Sequence, residues 1–256
     1  MQLQQFNIAT KAVSKVVLVA ILILLNGCHS LQRTETMGKK ISLVVNYPVI
    51  MINDGVHSDV HFFNLRDTVF IFYYGRYILY RLPGTRKFET DEKIAGSEPW
   101  FIYRKQSAQG YLFTSISDST RGMKLPADSF LHNRAFAGAS FDISTSDSLV
   151  ERSGNKNTLV EKYFCNKSNN ENYPDSFYFY FSDNFKNIDY TFSRKLDSLR
   201  KMKLYKVRIL YNEKTSSAYQ KVLPKREFLF EIRNEGKNIS KELIDFISRV
   251  SKSYVF

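Results

Sequence analysis

The runs "TVFIFYY" at 68–74, "RYILYRL" at 76–82 and "WFIYRKQSAQGYLFTSI" at 100–116 crowd aromatic and β-branched residues into short segments, punctuated by Gly75, "PGT" at 83–85 and "SAQG" at 107–110. Residues of high strand propensity in runs this short, bounded by turn formers, read as an antiparallel meander. The 16 tyrosines and 21 phenylalanines, against one tryptophan, fall largely at alternate positions within such runs. That alternation sets a sheet, rather than a helical bundle, as the frame of the fold.

The remaining chain is read against this rhythm. "KKISLVVNYPVIMI" at 39–52 is a strand interrupted by Pro48, whose missing N–H restricts it to an edge or to two strands meeting at a bend. "NDG" at 53–55 is a turn, and "VHSDVHFF" a second strand ending at "NLRD". From Ser117 to about Thr158 the pattern fades, and an irregular insertion is expected, with "PADSFLHNRAFAG" as a short helix or a wandering loop. "LVEKYFC" and "SFYFYFS" resume the strands across the polar loop "NKSNNENYPD".

Ser193 can cap a helix with Leu196, Leu199 and Met202 on its apolar side. "LYKVRILY" and "REFLFEIR" alternate cleanly, and pairing them antiparallel sets Lys206 and Arg208 near Glu227 and Glu231. "NISKELIDFISRVSKSY" spaces Ile239, Leu243, Ile244, Ile247 and Val250 as one face of a terminal helix, capped by Ser240 or Asn238. The expected class is α+β: a mostly antiparallel, curved or partly closed β-sheet with two helices near the C-terminus.

The N-terminus is of another character. Lys11 and Lys15 precede the apolar run Val16–Leu25, whose ten residues are half of the roughly 20 that span a bilayer. This is the layout of a secretory signal peptide. It ends Leu25-Asn26-Gly27-Cys28, which resembles the bacterial lipobox: an aliphatic residue three before an obligatory cysteine, and a small one just before it. The resemblance covers residues 1–28 and implies that Cys28 is lipidated and becomes the first residue of the mature chain. The alternative is a plain signal peptide cut near Gly27. Residues 28–39 then form a lipidated tether, and 40–256 a single β-rich domain. His29 stands after the cysteine, where an aspartate commonly retains lipoproteins in the inner membrane, so the resemblance implies the outer membrane. "HSLQRTET" carries only Glu35 where surface-exported lipoproteins place an acidic cluster, and this favours the periplasmic face.

With Cys28 lipidated, Cys165 lacks an intramolecular disulfide partner and is expected to be buried as a small apolar residue. Loss of 27 residues and their two lysines leaves 229 residues with 35 basic and 25 acidic side chains, a net charge of +10. Such a domain prefers anionic partners. Export excludes nucleic acid as a routine partner, leaving the membrane that holds the anchor and an anionic envelope glycan, lipid or protein.

Two constellations carry candidate chemistry. In "DGVHSDVHFF", strand alternation places His57, Asp59 and His61 on one face about 7 Å apart, a plausible ligand set for a divalent metal, although a solvated strand face has the same pattern. Arg194, Lys195, Arg200, Lys201, Lys203, Lys206 and Arg208 form a dense basic run, broken only by Asp197, that could gather into an anion-binding patch. Phosphate-loop, dinucleotide-binding and nucleophile-elbow motifs are missing, and the Ser198–Lys201 pair stands without its companion motifs. The expected function is a membrane-anchored envelope lipoprotein with a non-catalytic binding or structural role and no cofactor. The alternatives are a metal-dependent hydrolase using His57, Asp59 and His61, and a carrier of lipid or another apolar ligand.

Overall fold

The structure, a computed structural model, describes residues 38–52, 60–84, 98–117, 121–132, 140–167, 173–217 and 221–256. The expected signal peptide, Cys28 and the expected tether up to residue 37 lie outside the described residues. Gly38–Phe256 is one compact unit.

Its architecture is α+β. The strands are β1 (Lys39–Ile52), β2 (Val60–Tyr74), β3 (Tyr77–Arg81), β4 (Trp100–Arg104), β5 (Gln109–Phe113), β6 (Met123–Pro126), β7 (Ser148–Gly154), β8 (Thr158–Phe164), β9 (Ser176–Ser182), β10 (Lys203–Tyr211), β11 (Lys214–Ser216), β12 (Lys221–Leu223) and β13 (Arg226–Gly236). The helices are α1 (Ala127–His132), α2 (Arg194–Arg200) and α3 (Lys241–Ser253). None of the described helices is long and apolar enough to cross a membrane.

Eleven strands form one sheet in the order β6-β5-β4-β3-β2-β1-β13-β10-β9-β8-β7, and β11 and β12 pair separately. Two meanders meet where β13 lies between β1 and β10, with antiparallel pairing on both sides. The Lys206–Glu231 and Arg208–Glu227 ion pairs form across β10 and β13, at 3.7 and 2.6 Å. The sheet is not closed: β6 and β7 are its ends, so strand pairing provides no closure among the described residues. Both end strands are poor partners. β6 is four residues long and ends in Pro126, and every residue of β7 is exposed.

Those same properties explain the strands missed in the expected insertion at 117–158. A strand with no buried face carries no apolar alternation to read. Pro48 meets its restriction locally: β1 pairs with β2 through Ile52, but with β13 only as far as Asn46. Among the described residues, no strand pairs with the otherwise central β1 on that side of Pro48.

Alternation divides the core between the two faces. One face buries Ile41, Leu43, Ile71, Tyr80, Phe101, Phe179, Phe181, Val207 and Ile232, roofed by Ile188 and Phe192 from the segment leading into α2 and by Leu196 of α2 itself. The other face, on β2–β5, buries Phe72, Leu79, Ile102 and Phe113 beneath Leu243, Phe246, Ile247 and Val250 of α3. Both helices begin as the sequence suggests: Ser193 Oγ accepts from Leu196 N–H, and Ser240 Oγ from Leu243 N–H. Gly110 marks a close approach, since a Cβ there would stand 2.3 Å from the Phe101 ring.

Candidate functional site

Where the roof segment crosses β2–β4, a cavity of about 880 Å³ opens. Strand register builds its floor. Tyr73 pairs with Ile78, which pairs in turn with Tyr103, so the three lie in a row across β2, β3 and β4. Tyr80, two residues along β3, shares their face and stacks on Tyr103 at 6.1 Å and 28°. Tyr190, from the roof, completes a ring of four tyrosines lining the cavity.

The wall opposite is held by aromatic packing and one backbone bond. Phe141 N–H donates to the Phe192 carbonyl at 2.9 Å, and its ring meets Phe192 and Phe230 edge-on at 5.6 and 4.9 Å. This pins residues 140–142 beside the start of α2, which brings Arg194 and Lys195 to the rim. The β4–β5 turn supplies Lys105, and the first turn of α1 supplies Asp128.

The floor is protonated and the rim is charged. Burial pushes the Tyr80 and Tyr190 phenols well above their usual 10.0, and Tyr73 is raised for the same reason with Asp189 adding to it. Tyr103 is raised chiefly by burial, with the hydrogen bond from the Tyr80 hydroxyl opposing the rise. The Tyr190 backbone N–H donates to the Tyr73 oxygen. Burial thus keeps the Tyr73 and Tyr103 phenols protonated and able to act as neutral donors. At the rim, Lys105 pairs with Asp189 at 3.1 Å and Lys195 with Asp142 at 2.7 Å. The hydrogen bond from Lys195, with a smaller contribution from Ile143 N–H, holds the Asp142 carboxyl below its ordinary value. Hydrogen-bond donors, acceptors and aromatic faces therefore converge on one concave surface, the usual composition of a small-molecule site.

The sequence-predicted residues are distributed differently. His57 and Asp59 lie outside the described residues. His61 belongs to β2, where its backbone pairs with Met51; its side chain is outside the description. Among the described residues no three His, Cys, Asp or Glu side chains are grouped to hold a metal. The seven-residue basic run does not gather on one surface. Arg194 and Lys195 line the cavity, whereas Arg200 turns to the buried Glu161 and Lys203 pairs with Asp197 at 2.9 Å. Lys206 and Arg208 reach Glu231 and Glu227, and Lys201 is the left-handed C-cap of α2. Cys165 is free and buried.

The tyrosine floor is what sequence reasoning missed. Its signal was present in the alternation of β3 and β4, but tyrosines that seed strands and tyrosines that line a cavity look alike until the register is known.

No family model matches the chain, and no curated protein matches it. Among solved structures, the ywiB protein from Bacillus subtilis is similar at 12% identity over 78% of this chain and 94% of that one. The TM-score of 0.18 gives this likeness no weight in assigning a fold or function.

Proposed function

We propose that the chain is an envelope lipoprotein, anchored through Cys28 on the periplasmic face of the outer membrane, whose domain binds a polar, hydroxyl-rich ligand in the tyrosine-floored cavity. A saccharide is the class that fits. The carrying observation is the pairing of aromatic faces with hydroxyl donors and charged rim groups in one cavity of about 880 Å³. Sugar rings stack their C–H faces on aromatic rings, while their hydroxyls both donate and accept hydrogen bonds. An apolar ligand would offer no partner to the tyrosine hydroxyls, Arg194 or Asp128 of this lining, at a cost of about 1–3 kcal/mol for each such group it buries. That favours saccharide binding over carriage of a lipid.

The test is calorimetric titration of the full chain in detergent with glucose, galactose, N-acetylglucosamine and glucuronate. Beside it stands Ala108→Trp, which places an indole in the cavity from an exposed lining position. The expected result is saccharide binding that the substitution abolishes without lowering the melting temperature. Absence of binding to all four sugars, or binding that persists in the variant, overturns the proposal.

A further inference from the structure

We infer that the cavity selects saccharides bearing a carboxylate, of the uronic acid type, with Arg194 receiving the carboxylate and Tyr73, Tyr103 and Asp128 reading the ring oxygens and hydroxyls. This deepens the saccharide reading above and rests on it.

The argument begins with charge already spent. Three cations line the cavity: Lys105, Arg194 and Lys195. Lys105 is engaged by Asp189 and Lys195 by Asp142. Arg194 makes no ion pair with a described residue and is exposed at the rim. A guanidinium presents a planar fork of donors that matches a carboxylate in two parallel hydrogen bonds.

The same accounting applied to the acids leaves Asp128, exposed on α1, as the lining carboxylate with no ion pair among the described residues. It arrives from a different element than Arg194 and can only accept, which suits sugar hydroxyls as donors. Tyr73 and Tyr103 have the opposite capacity, since each retains a proton to donate. The unspent groups are thus one anion receptor, one acceptor and two neutral donors, the complement of a polyol with a single negative charge.

Phosphorylated sugars fit less well. With Lys105 and Lys195 paired to Asp189 and Asp142, Arg194 is the one unpaired lining cation among the described residues; it balances a single negative charge and leaves the second charge of a phosphate dianion opposed by Asp128. The net +10 of the mature chain raises the local concentration of either without choosing between them.

The experiment titrates the full chain with glucose, glucuronate and glucose 6-phosphate, in the native protein and in Arg194→Gln and Tyr103→Phe. Arg194 is exposed, so its substitution leaves the fold intact. Native protein is expected to bind glucuronate about tenfold more tightly than glucose, the weight of one charge-assisted pair. Arg194→Gln is expected to bring that ratio to about one, and Tyr103→Phe to weaken both sugars alike. Equal affinity for glucose and glucuronate in the native protein, or tighter binding of glucose 6-phosphate, overturns the carboxylate assignment and leaves the saccharide reading standing. Failure of every sugar to bind overturns the saccharide reading itself.

Discussion

Arg200 is the residue whose removal most directly tests how α2 is tied to the sheet. It lies on α2, and its side chain crosses to β8, where Glu161 is fully buried at 0% exposure. Arg200 Nε stands 2.9 Å from Glu161 Oε1 and 3.0 Å from Oε2. Tyr163 donates to Oε2 at 3.0 Å, and Arg152 reaches Oε1 at 2.7 Å from the edge strand β7. The two arginines differ in setting, with side chains 19% and 51% exposed for Arg200 and Arg152.

Breaking a buried pair costs about 3–5 kcal/mol, mostly because a buried charge is left uncompensated. Arg152 and Tyr163 still serve Glu161 after Arg200→Met, so the expected loss falls to about 2–4 kcal/mol. Arg152→Met removes a half-exposed partner and is expected to cost about 0–1 kcal/mol. Glu161→Leu combined with Arg200→Met removes the orphaned carboxylate, and the double variant is expected to be more stable than Arg200→Met alone. Urea unfolding at pH 7, with slopes compared to confirm that midpoints report stability, reads all four proteins. Equal losses from the two arginine substitutions, or a double variant no more stable than Arg200→Met, would refute the reasoning.

Two further outcomes follow from the core. Tyr73, Tyr80 and Tyr190 have folded-state phenol values raised above the usual 10.0, so their stability contribution is complete below pH 10 and is lost as pH climbs beyond it. Absorbance of the phenolate should show these three ionising only together with loss of circular dichroism, and reversible ionisation within a folded protein would contradict it. Phe246, 2% exposed and edge-on to Phe113 at 5.1 Å, ties α3 to the sheet; Phe246→Ala is expected to cost about 3–5 kcal/mol in the same urea assay, and a loss under about 1 kcal/mol would show that α3 is not integral to the core.

What the sequence made legible depended on whether a residue's neighbours along the chain shared its environment. β10 and β13 alternate strictly because one face is buried and the other carries Lys206, Arg208, Glu227 and Glu231, so their pairing could be read directly. The caps at Ser193 and Ser240 could be read because the capping bond is local. β6 and β7 could not, since exposed edge strands lack that contrast. Phe246 was overlooked on α3, although its spacing from Leu243 and Val250 places it on the buried stripe. The basic run was legible as composition but not as a surface. Alternation on β10 and the return of Arg200 to Glu161 divide it among separate partners. The cavity needed long-range register: Tyr73, Tyr103 and Tyr190 meet only once β2, β3 and β4 are paired and the roof is laid across them.

The most direct test of the central claim is a crystal structure of the full chain grown with the tightest-binding sugar of the panel. The account predicts a sugar ring in the cavity, in contact with Tyr103 and within hydrogen-bond distance of the Tyr73 hydroxyl. A sugar bound elsewhere on the molecule, with the tyrosine-floored cavity holding only water, would contradict it.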